Sequence, residues 1–151
     1  MRNIILLSCT FILLGCKEYD KSEIKGGWNT LIDDQYCELW FNDDLVLDWN
    51  YEFGTLRLRN YEVRNNIIYF SEQYLDNEPP NNIAFSMKIK SIRNGSMVLE
   101  NVVHPEHPNY TYNSIHSEPP PFSLDILNSE KQRELELELI QKSEKRIKSL
   151  N

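Results

Sequence analysis

The chain predicts an all-β fold, an antiparallel meander closing as a small barrel or folding over as a sandwich, followed by one C-terminal amphipathic helix. Three observations carry this expectation. From Gly27 to about Ile126 apolar and polar residues alternate with period two, the mark of half-buried strands. Turn dipeptides interrupt that stretch at short intervals. From Ser129 the period changes to that of a helix.

The alternation and its breaks predict strands at 28–33, 36–42, 45–50, 55–64, 67–74, 83–93, 96–103, 110–116 and 122–126. The sixth is the clearest: Ile83, Phe85, Met87 and Ile89 point one way and Ser86, Lys88 and Lys90 the other, so one of its faces is wet. Asn94-Gly95 separates it from the seventh. That dipeptide tolerates positive φ at both central positions, as a type I′ hairpin turn requires. Asp43-Asp44, Asn65-Asn66 and the loop from Asn77 to Asn82 mark further turns; Pro79 and Pro80 within that loop cannot donate to a strand ladder. So many short strands in sequence leave exposed edges unless the sheet closes or folds over.

The last segment, Ser129–Leu150, begins with a capping-box signature, Ser129 with Gln132. Glu130, Glu134, Glu136 and Glu138 crowd its front and Lys142, Lys145, Arg146 and Lys148 its back, both complementing the helix dipole. On a helical wheel Leu135, Leu139, Ile140, Ile147 and Leu150 share one arc, with Leu137 outside it. The helix is therefore expected to dock one face on its own sheet. The spacing does not sustain a heptad, which argues against a coiled coil.

Ahead of the strands, Arg2 precedes an apolar run over 4–14 that closes on Leu13-Leu14-Gly15-Cys16. The run is shorter than the roughly 17 to 25 apolar residues a spanning helix needs. This segment resembles a bacterial lipoprotein signal peptide. The resemblance implies that Cys16 receives a diacylglycerol, that residues 1–15 are removed, and that the new amino terminus is acylated. Several acyl chains together give lasting attachment where one would not. The expected organisation is a signal peptide at 1–15, the lipidated Cys16 with a charged tether at 16–25, a β domain at 26–127 and the helix at 128–151. The expected location is the cell membrane or outer membrane, lipid-anchored and facing periplasm or cell surface.

The formal charge of -7 becomes one unit more negative once Arg2 leaves with the signal. An acidic chain lacks the basic patch that nucleic acid or anionic headgroups require, so no nucleic-acid partner is expected. Of the three cysteines, Cys9 leaves with the signal and Cys16 carries lipid, so Cys37 has no disulfide partner. Cys37 alternates with Tyr36, Glu38 and Trp40 and shares a side with Leu39 and Phe41, where a thiol reads as a small buried hydrophobe.

Gly27-Trp28, the run Tyr36-Cys37-Glu38-Leu39-Trp40-Phe41-Asn42-Asp43-Asp44, and the hairpin carrying Met87 to Ile92 and Met97 to Glu100 together resemble lipocalin-like lipoproteins of the Bacteroidetes type. The resemblance covers roughly residues 26–101. It implies a lipocalin-like barrel with an apolar cavity, and does not name its contents.

Aromatic residues are numerous, and the face carrying Tyr36, Glu38 and Trp40 is the candidate ligand-binding surface. Aromatic planes beside a carboxylate suit an apolar or amphipathic small molecule if that face lines a cup. His104-Pro105-Glu106-His107-Pro108 could bring two imidazoles near one cation, with Glu106 or Glu100 completing the set. Because proline holds its neighbours extended, the loop reads as polar surface, and no metal or cofactor is expected. Asp33-Asp34 and Asp43-Asp44 read as turn formers. The chain contains no glycine-rich phosphate loop and no serine elbow, and it is not expected to be an enzyme. Two functions stay open: a membrane-anchored lipoprotein holding a small apolar or amphipathic ligand in a cup, or a cell-envelope lipoprotein of inhibitor or immunity type that acts by protein-protein contact.

Overall fold

The computed structural model describes residues 17–72, 83–116 and 129–150. Among them one short helix, α1 (Lys21–Ile24), precedes eight strands: β1 (Gly26–Ile32), β2 (Gln35–Phe41), β3 (Leu45–Asn50), β4 (Thr55–Arg64), β5 (Ile67–Glu72), β6 (Ile83–Arg93), β7 (Ser96–Asn101) and β8 (Tyr110–Ile115). A long helix, α2 (Ser129–Leu150), ends the chain. Each strand pairs antiparallel with the next and β8 returns to β1, closing the barrel. The all-β meander with a C-terminal helix is as the alternation predicts. The expected ninth strand at 122–126, the 77–82 loop and Pro119 to Pro121 lie outside the described residues.

Tight turns follow from side chains that tolerate left-handed backbone. Asn94 and Gly95 both have positive φ, 52° and 72°, and so do Asp33 with Asp34 and Asn65 with Asn66. Three two-residue connections thus take the primed hairpin geometry that matches strand twist.

The barrel interior is filled from its closed end. Trp28, Leu39, Phe41, Val46, Tyr61, Ile68, Phe70, Met97 and Leu99 belong to one buried cluster, to which Ile24 of α1 also belongs. Residues 17–25, expected to be a tether, instead fold onto the base. Asp20 and Glu23 form a capping box around α1, and the Trp28 indole donates to the Ile24 carbonyl at 2.6 Å. The Tyr19 amide donates to Asn66 Oδ1 at 2.6 Å, while its hydroxyl accepts from the Ile92 amide at 3.2 Å. Lys21 and Lys25 reach Asp44 and Asp43 at 2.9 and 2.6 Å. The charged composition concealed this role because two apolar residues, Tyr19 and Ile24, suffice to seal a narrow end.

A second cluster lies outside the barrel, beneath α2. Trp40, Leu45, Leu47, Trp49 and Ile115 pack against Leu135 and Leu139. Strands β2 and β3 are therefore covered on both faces, the barrel core on one side and the helix on the other. Leu137 stays 54% exposed, as the helical wheel predicts.

Alternation misassigns Ile83, expected to face inward with Phe85. The β5–β6 register shifts between Phe70 and Ser71, so that Phe70 opposes Phe85 but Ser71 opposes Ile83. The extra residue, Ala84, turns Ile83 outward, where it is 57% exposed.

Candidate functional site at the open end of the barrel

The end opposite α1 carries the 33–34 and 51–54 turns and the 102–109 loop. Below it a cavity of about 230 Å³ opens into the barrel, walled by Leu39, Phe70, Phe85, Met87, Leu99 and Tyr112, with Cys37, Asp48 and Asn101 among its polar lining. Phe70 and Phe85 stack in its wall at a centroid separation of 4.4 Å. An adjoining depression of about 230 Å³ shares Cys37 and Asp48 and adds Asn50, Phe53, Thr55 and Arg57. The strands place these polar groups by parity alone: Cys37, Asp48 and Asn50 continue the inward series of Leu39 and Val46.

Asp48 is the least expected of these residues. Its carboxylate faces the buried Arg59 guanidinium, Nε to Oδ2 at 3.8 Å. Burial pushes its pKa above the usual carboxylate range, and Arg59 and Arg57 pull against that shift. Cys37 is half-buried and lines the cavity rather than the sealed core. Burial, helped by Asp48 and Glu52, pushes its thiol up to about 11, so it carries little thiolate at neutral pH and is a poor nucleophile.

The rim of this end carries exposed apolar side chains among the polar residues of its turns. Phe53, Val103 and Leu31 are 69%, 66% and 53% exposed, and Ile83 and Val102 join them at the same end. Between β1 and β8 the ladder runs only from Gly27–Ile115 to Asn29–Asn113. Beyond it the Thr30 hydroxyl donates to the Thr111 carbonyl at 2.8 Å. The strands splay there, leaving an outer groove of about 460 Å³ lined by Leu31, Asp33, Pro108 and Tyr110.

Tyr36, Glu38 and Trp40, the candidate ligand-binding face, do share one side of β2, but that side faces α2 and not the interior. Glu38 is fully buried. It accepts from the Trp40 indole at 2.7 Å, from the Ser143 hydroxyl at 3.1 Å and from Arg146 Nη1 at 2.6 Å. The Arg146 guanidinium also lies 5.4 Å from the Trp40 ring centroid. Among the described residues the buried Tyr36 hydroxyl has no hydrogen-bond partner; burial and the nearby Glu38 raise its pKa. This constellation fastens the helix. The signal for it was present in Leu39-Trp40-Phe41 and Leu45-Val46-Leu47, continuous apolar runs of the kind that two-sided burial produces.

His116 lies at the closed end, bonded through Nδ1 to the Ser114 hydroxyl at 3.0 Å. Glu100 is held by Lys90 at 3.2 Å. His104, Glu106 and His107, by contrast, come together on the loop over the mouth, with one ligand atom from each within 4.8 Å of the others. No protein-family model, curated protein or solved structure matches the chain.

Proposed function

We propose that this protein is a lipid-anchored binding module of the bacterial cell envelope that holds a small amphipathic ligand at the open end of its barrel. The observation that carries the reading is the cavity at the open end, with stacked Phe70 and Phe85 in its wall and Asp48 and Asn101 in its polar lining. Its volume of about 230 Å³ falls below the roughly 300 Å³ from which small-molecule sites usually run, so the cup admits only a ligand smaller than an ordinary drug. The apolar wall takes the hydrocarbon part of the ligand and the polar lining orients its head. The ligand face thus moves from Tyr36, Glu38 and Trp40 to the interior side of the same strand.

The anchor is the acyl modification of Cys16 implied by the amino-terminal segment. No described helix is long and apolar enough to cross a membrane. Lys17 belongs to the sealed base, where its carbonyl accepts from Asn66 Nδ2 at 3.0 Å. An acyl group on the preceding residue would hold that base against the bilayer, and the mouth would face away from it. Exposed Phe53, Leu31 and Val103 favour a second reading, in which the rim contacts an envelope protein.

Native mass spectrometry of the full chain, extracted in detergent from the producing cell, separates the two readings. A retained small molecule that is lost on Phe85→Ala supports the cup, and a retained protein with an empty cavity replaces it by the second reading. Cys16→Ala is expected to release the protein from membranes with its fold intact. Persistent membrane fractionation of that variant in high salt would overturn the anchor.

A further inference from the structure

We propose that His104, Glu106 and His107 form a binding site for a divalent transition-metal cation on the loop over the barrel mouth. The site follows from a turn. The His107 amide donates to the His104 carbonyl at 3.1 Å, closing residues 104–107 into a four-residue reversal. Pro105 occupies the second position, where its restricted φ favours such a turn and lowers the entropy lost in holding it. First and last residues of a β-turn lie close together, so a His-Pro-Glu-His tetrad brings two imidazoles to one side with a carboxylate between them.

The donor atoms are gathered, with the two rings stacked face to face. The imidazole rings lie 5.2 Å apart by centroid and 17° from parallel, and His104 Nδ1 is 3.1 Å from Glu106 Oε1. Metal–nitrogen bonds of about 2.0 to 2.1 Å place two ligands of a tetrahedral ion roughly 3.3 to 3.5 Å apart. Ligand atoms already lie within 4.8 Å of one another, and rotation about χ1 and χ2 must turn the stacked rings so that their in-plane nitrogen lone pairs converge on one ion. All three side chains are exposed, which leaves their rotamers free of the buried core. The backbone beneath them is fixed: Asn101 Oδ1 accepts from the Val103 and His104 amides, both at 2.9 Å. Asn101 also lines the cavity, so the metal loop and the cup share a wall.

Two imidazoles and one carboxylate suit Zn²⁺, Ni²⁺ or Cu²⁺ over Ca²⁺ or Mg²⁺, which prefer all-oxygen shells. Three protein ligands leave at least one position for water or for a donor atom of a bound molecule. The inference is independent of the ligand reading, because it needs the loop alone.

Titration of the untagged full chain in detergent with Zn²⁺, and separately with Co²⁺ as a spectroscopic substitute, tests the site. One ion per chain is expected, with Co²⁺ ligand-field bands and no sulfur-to-metal charge transfer. His104→Ala and His107→Ala should each weaken binding by about tenfold or more, and Glu106→Gln should weaken it measurably. His116→Ala and Cys37→Ser should leave binding unchanged. The exposed positions tolerate these changes, and far-ultraviolet circular dichroism verifies that the fold survives. Absence of Zn²⁺ binding at micromolar concentration, affinity unaltered in His107→Ala, or a thiolate charge-transfer band overturns the proposal.

Discussion

At position 27 the missing side chain decides how the helix side of the sheet packs. Gly27 lies opposite Trp40 across β1 and β2, and a Cβ built there would stand 2.5 Å from the Trp40 ring. The indole is held from both directions, by the bond from its Nε1 to Glu38 and by the packing of α2 above it, so it has little room to retreat. Gly27→Ala is therefore expected to cost about 1 to 3 kcal/mol, the range for an overpacked core. A urea midpoint equal to that of the unaltered protein would show that Trp40 moves freely. Residue chemistry also shapes the mouth. Pro105 holds His104 extended, and the same ring favours the second position of the turn from His104 to His107, which gathers the histidines.

At the scale of the element, α2 docks through a stripe that changes character along its length. Leu135 and Leu139 supply an apolar half. Ser143, fully buried, and Arg146 continue the same line one and two turns further on and meet Glu38. Hydropathy placed Ile140 and Ile147 on that arc but gave no reason to expect the polar pair, because a wheel does not show that a carboxylate waits in the sheet below. Ser143 also accepts from the Trp49 indole at 3.1 Å, tying the helix to β3 as well as β2. Glu38→Gln should destabilise by about 1 to 3 kcal/mol, since it removes the buried carboxylate charge that Arg146 and Ser143 meet beneath the helix. Adding Arg146→Met to that variant should restore part of the loss. If the double variant is no more stable than Glu38→Gln, the ion pair is not what the single change removes.

Over the whole molecule, the two buried clusters are not separate folding units. Leu39 and Phe41 enter the barrel core from the strand whose Trp40 enters the helix interface, and Val46 divides Leu45 from Leu47 in the same manner on β3. Unfolding one cluster strips the other of its support. Trp28 reports on the interior, Trp40 and Trp49 report on the interface, and the far-ultraviolet signal reports on strands and helix together. Fluorescence and circular dichroism should accordingly trace one coincident urea transition, as a cooperative single domain does. A helix signal lost ahead of the tryptophan signal would mean that α2 is an independent appendage. The two ends of the barrel differ in kind: α1 and its ion pairs seal one, while apolar side chains and a polar-lined cavity mark the other.

The amino-acid sequence alone determined the eight strands among the described residues, the tight turns and the amphipathic helix. These depend on contacts between near neighbours, on the two-residue period of a pleated strand and the φ that Asn, Asp and Gly tolerate, and local chemistry expresses them directly. Tertiary structure decided which face of β2 meets the helix, that residues 17–25 seal the base, that Ile83 turns outward, and which side chains surround the cavity. Each of those outcomes depends on register and on distant residues meeting, as Glu38 meets Arg146. A period of two divides a strand into two faces, and only the arrival of a second element assigns one of them to a partner.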